Sequence, residues 1–191
     1  MIWYNAGMGA LAVEEAVDEA PIDEALLARY AERLTGLRLG AFGVVEALTV
    51  SPEPDRHLAV PRLRVLPESG VEGQYPGKQW WQGRRVPGRQ VSAVSADVLD
   101  ALGIAYDVPG DNLILRGLDL SRFAPGDTLR LGEALLTVTP TPHRPCAKLA
   151  RRTTLTKMRA ISRGMFRGLL LDALHPAEVR VGDVAERVVG V

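Results

Sequence analysis

The sequence predicts a mainly β protein, a closed or nearly closed β-barrel with a few short helices and an N-terminal helical arm. Three observations predict it. From Leu39 onward the chain breaks into short apolar runs separated by Gly, Pro and Gly-Asp turns. A doubly wound parallel sheet would need helices of about ten residues between most strands, and these are missing. The third is composition: 47% of residues are hydrophobic but only 5% aromatic, so the core is built from Val, Leu, Ile and Ala. A chain of 191 residues holds one well-cored domain with a small appendage.

The appendage is residues 1–38 and the barrel 39–191. Residues 8–36 read as helical with a break at Pro21; Ile22, Leu26, Leu27, Tyr30 and Leu34 share one face, and Gly36 is a stop. Residues 39–50 read as a first strand ending at Ser51-Pro52-Glu53-Pro54. Alternation at Leu63 and Val65 marks a second, with prolines at its edges. Residues 68–88 read as a long Gly-rich loop whose Trp80 and Trp81 either line a ligand mouth or anchor the loop. Residues 89–95 read as a strand, followed by a short helix with Ser95 as N-cap and Gly103 as C-cap. Three further β segments follow, from Asn112, from Asp127 and from Ala177. Gly126-Asp127 and Gly182-Asp183 mark tight turns.

Cys146 is the only cysteine, which excludes an intramolecular disulfide and fits a reducing compartment. The N-terminus has no basic region and is acidic where a signal peptide would be cleaved, and no apolar run approaches roughly 18 residues. The expectation is a cytoplasmic protein without a membrane span. Net charge is zero, yet unevenly distributed. Residues 1–35 hold seven acids against two bases, and residues 141–171 hold eight bases and no acid.

The chemistry-bearing stretch is residues 137–152, inside that basic run. Pro142 and Pro145 stiffen a loop that presents Cys146 between His143, Arg144 and Lys148. Cations beside a thiol favour the thiolate, the form that attacks, carries sulfur or ligates a soft metal. A lone cysteine is more commonly a small buried hydrophobe, but polar neighbours on both sides favour function here. Arg151, Arg152, Lys157 and Arg159 read either as a solvated helix face or as an anion site beside Cys146. Nucleic acid is disfavoured by zero net charge and by scarce aromatics in the run. His57, His143 and His175 share no metal-ligand spacing, and no dinucleotide, phosphate-loop or nucleophile-elbow motif occurs.

These residues resemble the MOSC family, the C-terminal domain of molybdenum-cofactor sulfurases. In order, the similar segments are Gly70-Val71-Glu72-Gly73, Gly88-Arg89-Gln90-Val91-Ser92, Gly110-Asp111-Asn112-Leu113, Arg116-Gly117-Leu118-Asp119-Leu120, Pro125-Gly126-Asp127 through Leu131-Gly132, Pro145-Cys146 and Arg180-Val181-Gly182-Asp183. They run through roughly residues 40–190. The resemblance implies a barrel of MOSC type in a stand-alone member and a role in molybdenum or sulfur chemistry. It implies Cys146 as catalytic residue, either ligand to molybdenum held by an anionic pterin (molybdopterin) or carrier of persulfide sulfur. Arg144, Lys148, Arg151, Arg152 and Asn112 are the expected cofactor-binding residues. Members often place Asp and His after the early turn, where this chain has Gln74-Tyr75.

Three functions follow from that resemblance. The first is a cofactor-binding protein that reduces N-hydroxylated compounds with an electron-donor protein. The second is a sulfur carrier that takes persulfide from a separate pyridoxal-phosphate-dependent cysteine desulfurase, the chain itself having no pyridoxal phosphate site. The third is a scaffold with an inert Cys146. Whether the chain is an enzyme, and its oligomeric state, stay open at this level.

Overall fold

The computed structural model describes residues 21–81, 84–164 and 166–188. The expected helical start over 8–20 and the side chains of Trp80 and Trp81 lie outside the described residues. The first element is helix α1, Glu24–Thr35, with Asp23 as N-cap accepting from the Leu26 amide at 2.8 Å and Gly36 as C-cap. Strands β1 (Phe42–Glu53) and β2 (Arg56–Val60) form a hairpin, so the segment read as the end of the first strand is instead its continuation into a turn. β3 (Arg62–Leu66) and β4 (Gly70–Val71) follow. The long loop is not structureless: it holds β4, a 3-10 turn at Pro76–Gln79, and the short pair β5 (Trp80–Trp81) and β6 (Arg84–Arg85).

β7 (Val91–Ser95) leads directly into α2 (Ala96–Leu102), capped by Ser95 and Gly103 as expected, and then into β8 (Leu113–Arg116). The segment 127–140 is a hairpin, β9 (Thr128–Leu131) and β10 (Ala134–Val138), rather than one strand. The basic run forms α3 (Ala147–Arg152) and α4 (Leu155–Arg163), after which β11 (Leu169–Ala173), β12 (Ala177–Arg180) and β13 (Val184–Val188) complete the fold.

Seven strands close a barrel in the order β1-β8-β7-β11-β10-β9-β13, with β13 pairing back onto β1. Every neighbouring pair is antiparallel except β7 and β8, which α2 joins as a parallel crossover. Closure leaves no free edge in this ring, and β2 extends the sheet outside it. A small sheet of β12, β3 and β4 adds Leu63, Val65, Val71 and Val179 to the barrel core.

Two apolar clusters explain the sequence pattern. Val45, Leu48, Val91, Ala93, Leu113, Leu115, Leu129, Leu131 and Leu136 fill the barrel. Val45 and Leu48 both point inward although three residues apart, because a bulge between Val45 and Ala47 resets the alternation. The second cluster lies on the other face of β7 and β8, where Val94 and Ile114 meet Leu27, Tyr30 and Leu34 of α1, Val98 and Leu99 of α2, and Ile161 of α4. β7 is therefore buried on both faces, and each fully buried Leu contributes roughly 1.5–3 kcal/mol. The Asp23 amide donates to Thr156 Oγ1 at 3.1 Å, tying α1 to α4 as well. Among the described residues no helix is long and apolar enough to cross a membrane.

Gly168 sets the approach of β11 to β7. Its φ is +96°, and a Cβ there would lie 2.0 Å from the Ala93 carbonyl oxygen. Gly168→Ala is expected to lower stability by roughly 2–4 kcal/mol, read as a shifted denaturation midpoint with an unchanged denaturant slope.

A cationic candidate active site at the entry to β8

The residues just before β8 are the hub of a buried polar cluster. Asp111 is 1% exposed and is paired with the buried guanidinium of Arg167. Its second oxygen faces His143 Nε2 at 3.5 Å. Asn112 is fully committed to the protein. Its Nδ2 donates to Thr49 O at 3.1 Å and Gln74 Oε1 at 2.6 Å, while its Oδ1 accepts from the Ser92 amide at 3.3 Å and Lys78 Nζ at 3.4 Å. Lys78 Nζ also donates to Gln74 Oε1 at 3.0 Å. The Gly110 turn (φ +71°) delivers these residues, and a Cβ on it would strike the His57 ring at 2.6 Å.

Positive charge dominates here. Lys78 feels the charges of Arg167, Arg89 and Arg152, against which Asp111 is the opposing carboxylate. Burial above all, and then those three cations, push Lys78 down to about 8. Burial, followed by the Arg167 charge, pushes His143 down to about 3, so it meets Asp111 as a neutral imidazole rather than as an ion pair. Burial works to raise Asp111, but the Arg167 guanidinium and Lys78 outweigh it and hold the carboxyl below the usual carboxylate range. Among the described residues Arg167 Nε, Gln74 Nε2 and His143 Nδ1 have no hydrogen-bond partner, and the first two are donors.

Cys146 follows this cluster along the chain. It is exposed, three residues after His143 and two before Lys148, and it precedes α3 without capping it through its side chain. Lys148 Nζ donates to Asp55 Oδ1 at 3.0 Å, and Arg152 pairs with the same carboxylate, which sits at the tip of the β1–β2 hairpin. The Lys148 hydrogen bond is the largest influence holding Asp55 below its usual range. Burial lowers His57, and Arg152 and Lys78 lower it further.

Of the residues singled out from sequence, Asn112 lies in this cluster, Arg152 reaches His57 and Val108 at its margin, Lys148 shares Asp55 with Arg152, and Cys146 stands at the start of the helix that carries both cations. Arg144, in the loop before α3, and Arg151, on its solvated face, are exposed and make no polar contact among the described residues. Lys78, Arg89, Asp111 and Arg167 supply the inner charge, and the neutral His143 lies against Asp111. Their signals were the Gly-rich loop 68–88 for Lys78, the Gly-containing segments at 88–92 and 110–113 for Arg89 and Asp111, and the acid-free run 141–171 for His143 and Arg167. What those signals lacked was any indication that they converge. Among the described residues no three His, Cys, Asp or Glu side chains form a metal-binding group.

The model of the MOSC domain matches residues 82–186, more than half of the chain. The chain belongs to the MOSC domain family. The barrel of this MOSC protein is similar to that of the YuaD protein from Bacillus subtilis, with a TM-score of 0.62 at 18% identity over 76% of this chain and 95% of that one. It also resembles YiiM from Escherichia coli (TM-score 0.57, 22% identity, 78% and 71% of the two chains) and YiiM from Geobacillus stearothermophilus (0.55, 21%, 78% and 75%). At these identities the likeness concerns the fold. No curated protein matches the chain.

Two outcomes follow from the electrostatics of this MOSC site. Asp111→Asn leaves the Arg167 charge buried without a counter-ion and is expected to cost about 3–5 kcal/mol in chemical denaturation. Lys78 adds a pH dependence of opposite sense to that of a paired base. The unfolded chain keeps this proton up to the ordinary value of 10.5, whereas the folded protein releases it from about 8. Stability therefore rises with pH between those values, and Lys78→Met is expected to remove that rise from a series of denaturation curves.

Proposed function

We propose that this MOSC domain binds a molybdenum cofactor as an anionic pterin, with the Cys146 sulfur as the protein's ligand to the metal, and that it acts in reduction of N-hydroxylated compounds. The observation that carries the reading is an exposed thiol three residues after His143 of a cluster where Lys78, Arg89, Arg152 and Arg167 outnumber the buried carboxylate of Asp111. The residues fit such a group in two respects. A buried donor without a partner costs about 1–3 kcal/mol, and the Arg167 and Gln74 N–H groups left over here are suited to the acceptor oxygens of an anion. With a single thiol and no clustered side-chain ligands nearby, a metal at this place has to bring most of its own donors, as one held by a pterin does.

The bound cofactor would supply two-electron redox chemistry. The chain's own contribution is electrostatic and positional. Lys78 and Arg152 attract the anion, Asn112 and Gln74 hold Lys78 Nζ in place, and Asp111 fixes Arg167. Lys78 Nζ holds a proton that it can give up near pH 8, which suits a group facing an oxygen that leaves as water. An electron-donor protein would complete the cycle.

One observation favours a second reading, a sulfur carrier loaded by a cysteine desulfurase. Cys146 makes no side-chain hydrogen bond and stands exposed, so a partner protein can reach it. Metal and pterin analysis of protein purified from cells that make the cofactor, beside Cys146→Ser, tests the first reading. Near-stoichiometric molybdenum in the wild type and its loss in the variant are expected. No molybdenum in either form, together with a mass gain of one sulfur at Cys146 after incubation with a desulfurase and cysteine, would establish the carrier instead.

A further inference from the structure

Two of the cations on α3, Lys148 and Arg152, are not free. Asp55, from an element more than ninety residues away, already engages both: it accepts from Lys148 Nζ at 3.0 and 3.3 Å and pairs with Arg152. Asp55 holds a φ of +62° at the hairpin turn, a conformation that Asp and Asn tolerate far better than other side chains. The hairpin does not need this carboxylate to stay in place. His57 Nδ1 bonds the Asp107 carbonyl oxygen, its ring fills the space beside Gly110, and Arg152 Nη1 reaches Val108 O at 3.2 Å and His57 Nε2 at 3.4 Å. Asp55 is 58% exposed at its side chain, so the contact is a weak and displaceable ion pair. Its geometry is that of a carboxylate ligand seated on two cations.

We propose that Asp55 is a built-in competitor anion, which occupies Lys148 and Arg152 and must be displaced before an anionic ligand or substrate engages them beside Cys146. The proposal rests on Cys146 being the reacting group of this site. It does not require the molybdenum cofactor. An anion entering the site takes over the two cations, and Asp55 swings into solvent while His57 keeps the hairpin seated. The device selects against weak monovalent anions, which cannot outcompete a tethered carboxylate, and in favour of multivalent ones.

The single thiol makes the test direct. In the full chain, Cys146 is alkylated by iodoacetate, which is anionic, or by iodoacetamide, which is neutral. With either reagent the thiolate sulfur attacks the methylene carbon, a C–S bond forms, the C–I bond breaks and iodide leaves. The ratio of the two rates therefore cancels any change in thiolate fraction. Asp55→Asn, which keeps the positive φ, is expected to raise the iodoacetate-to-iodoacetamide ratio roughly three- to tenfold at low salt, and high salt is expected to erase the rise. Lys148→Gln is expected to lower the ratio more in the Asp55→Asn background than in the wild type, because only there is the cation free. A mere change in overall charge would make the two effects equal. An unchanged ratio in Asp55→Asn, or additive effects of the two substitutions, overturns the proposal. Asp55→Gly, which also accepts positive φ, serves if Asp55→Asn does not fold. Molybdenum content is measured separately, so its absence would count against the cofactor reading alone.

Discussion

A guanidinium and a carboxylate buried against each other at the entry to β8 constrain everything near them. Arg167 comes from the end of the basic run and Asp111 from the Gly110 turn, 56 residues apart in the chain. Neither charge is tolerable at that depth alone, so the turn before β8 and the approach to β11 have to arrive together. Gly110 and Gly168 permit that arrival by letting backbone and ring come closer than any Cβ would allow. The barrel order, in which β11 and β8 flank β7, is the frame that holds them side by side.

The pair also sets the charge of its surroundings. Arg167 is only balanced by Asp111, so each further cation nearby is felt as excess. Lys78 loses its proton more easily as a result, and His143 stays neutral and can act as a hydrogen-bonding partner rather than a third charge. Asn112 converts this arrangement into a rigid one, because its amide links β1 through Thr49, β7 through Ser92 and the early loop through Gln74 and Lys78. Gln74 follows the Gly73 turn. An amide there bridges Lys78 and Asn112 without adding negative charge, which keeps the cluster cationic.

The helical layer has a different role. α1, α2 and α4 cover the outer face of β7 and β8 with apolar side chains, which shields from the opposite side the strand that bears Ser92 and the strand that Asp111 and Asn112 lead into. The short α3 lies between that layer and the polar cluster. It brings Cys146 and Lys148 to the surface while Leu149 packs inward, so one turn of helix joins the hydrophobic layer to the exposed thiol.

Much of this was readable from the chain, because it depends on local chemistry. Short β-branched runs and Gly-Asp turns specified a barrel, Ser95 and Gly103 bounded α2, and the ordered Gly-containing segments carried the family. The bulge that lets Val45 and Leu48 face one core was invisible, since period-two alternation assumes an unbroken ladder. β11 was missed because Leu169–Ala173, buried on the sheet, carries no alternation to read. In the site, the sequence by itself determined that a lone thiol sits in a basic, acid-free segment. Only the tertiary structure decided which cations matter: Arg144 and Arg151 face solvent, Lys148 and Arg152 are engaged by Asp55, and Lys78 and Arg167 arrive from afar. The physical reason is that charge effects depend on distance and burial in space, and neither is encoded in the spacing of residues along the chain.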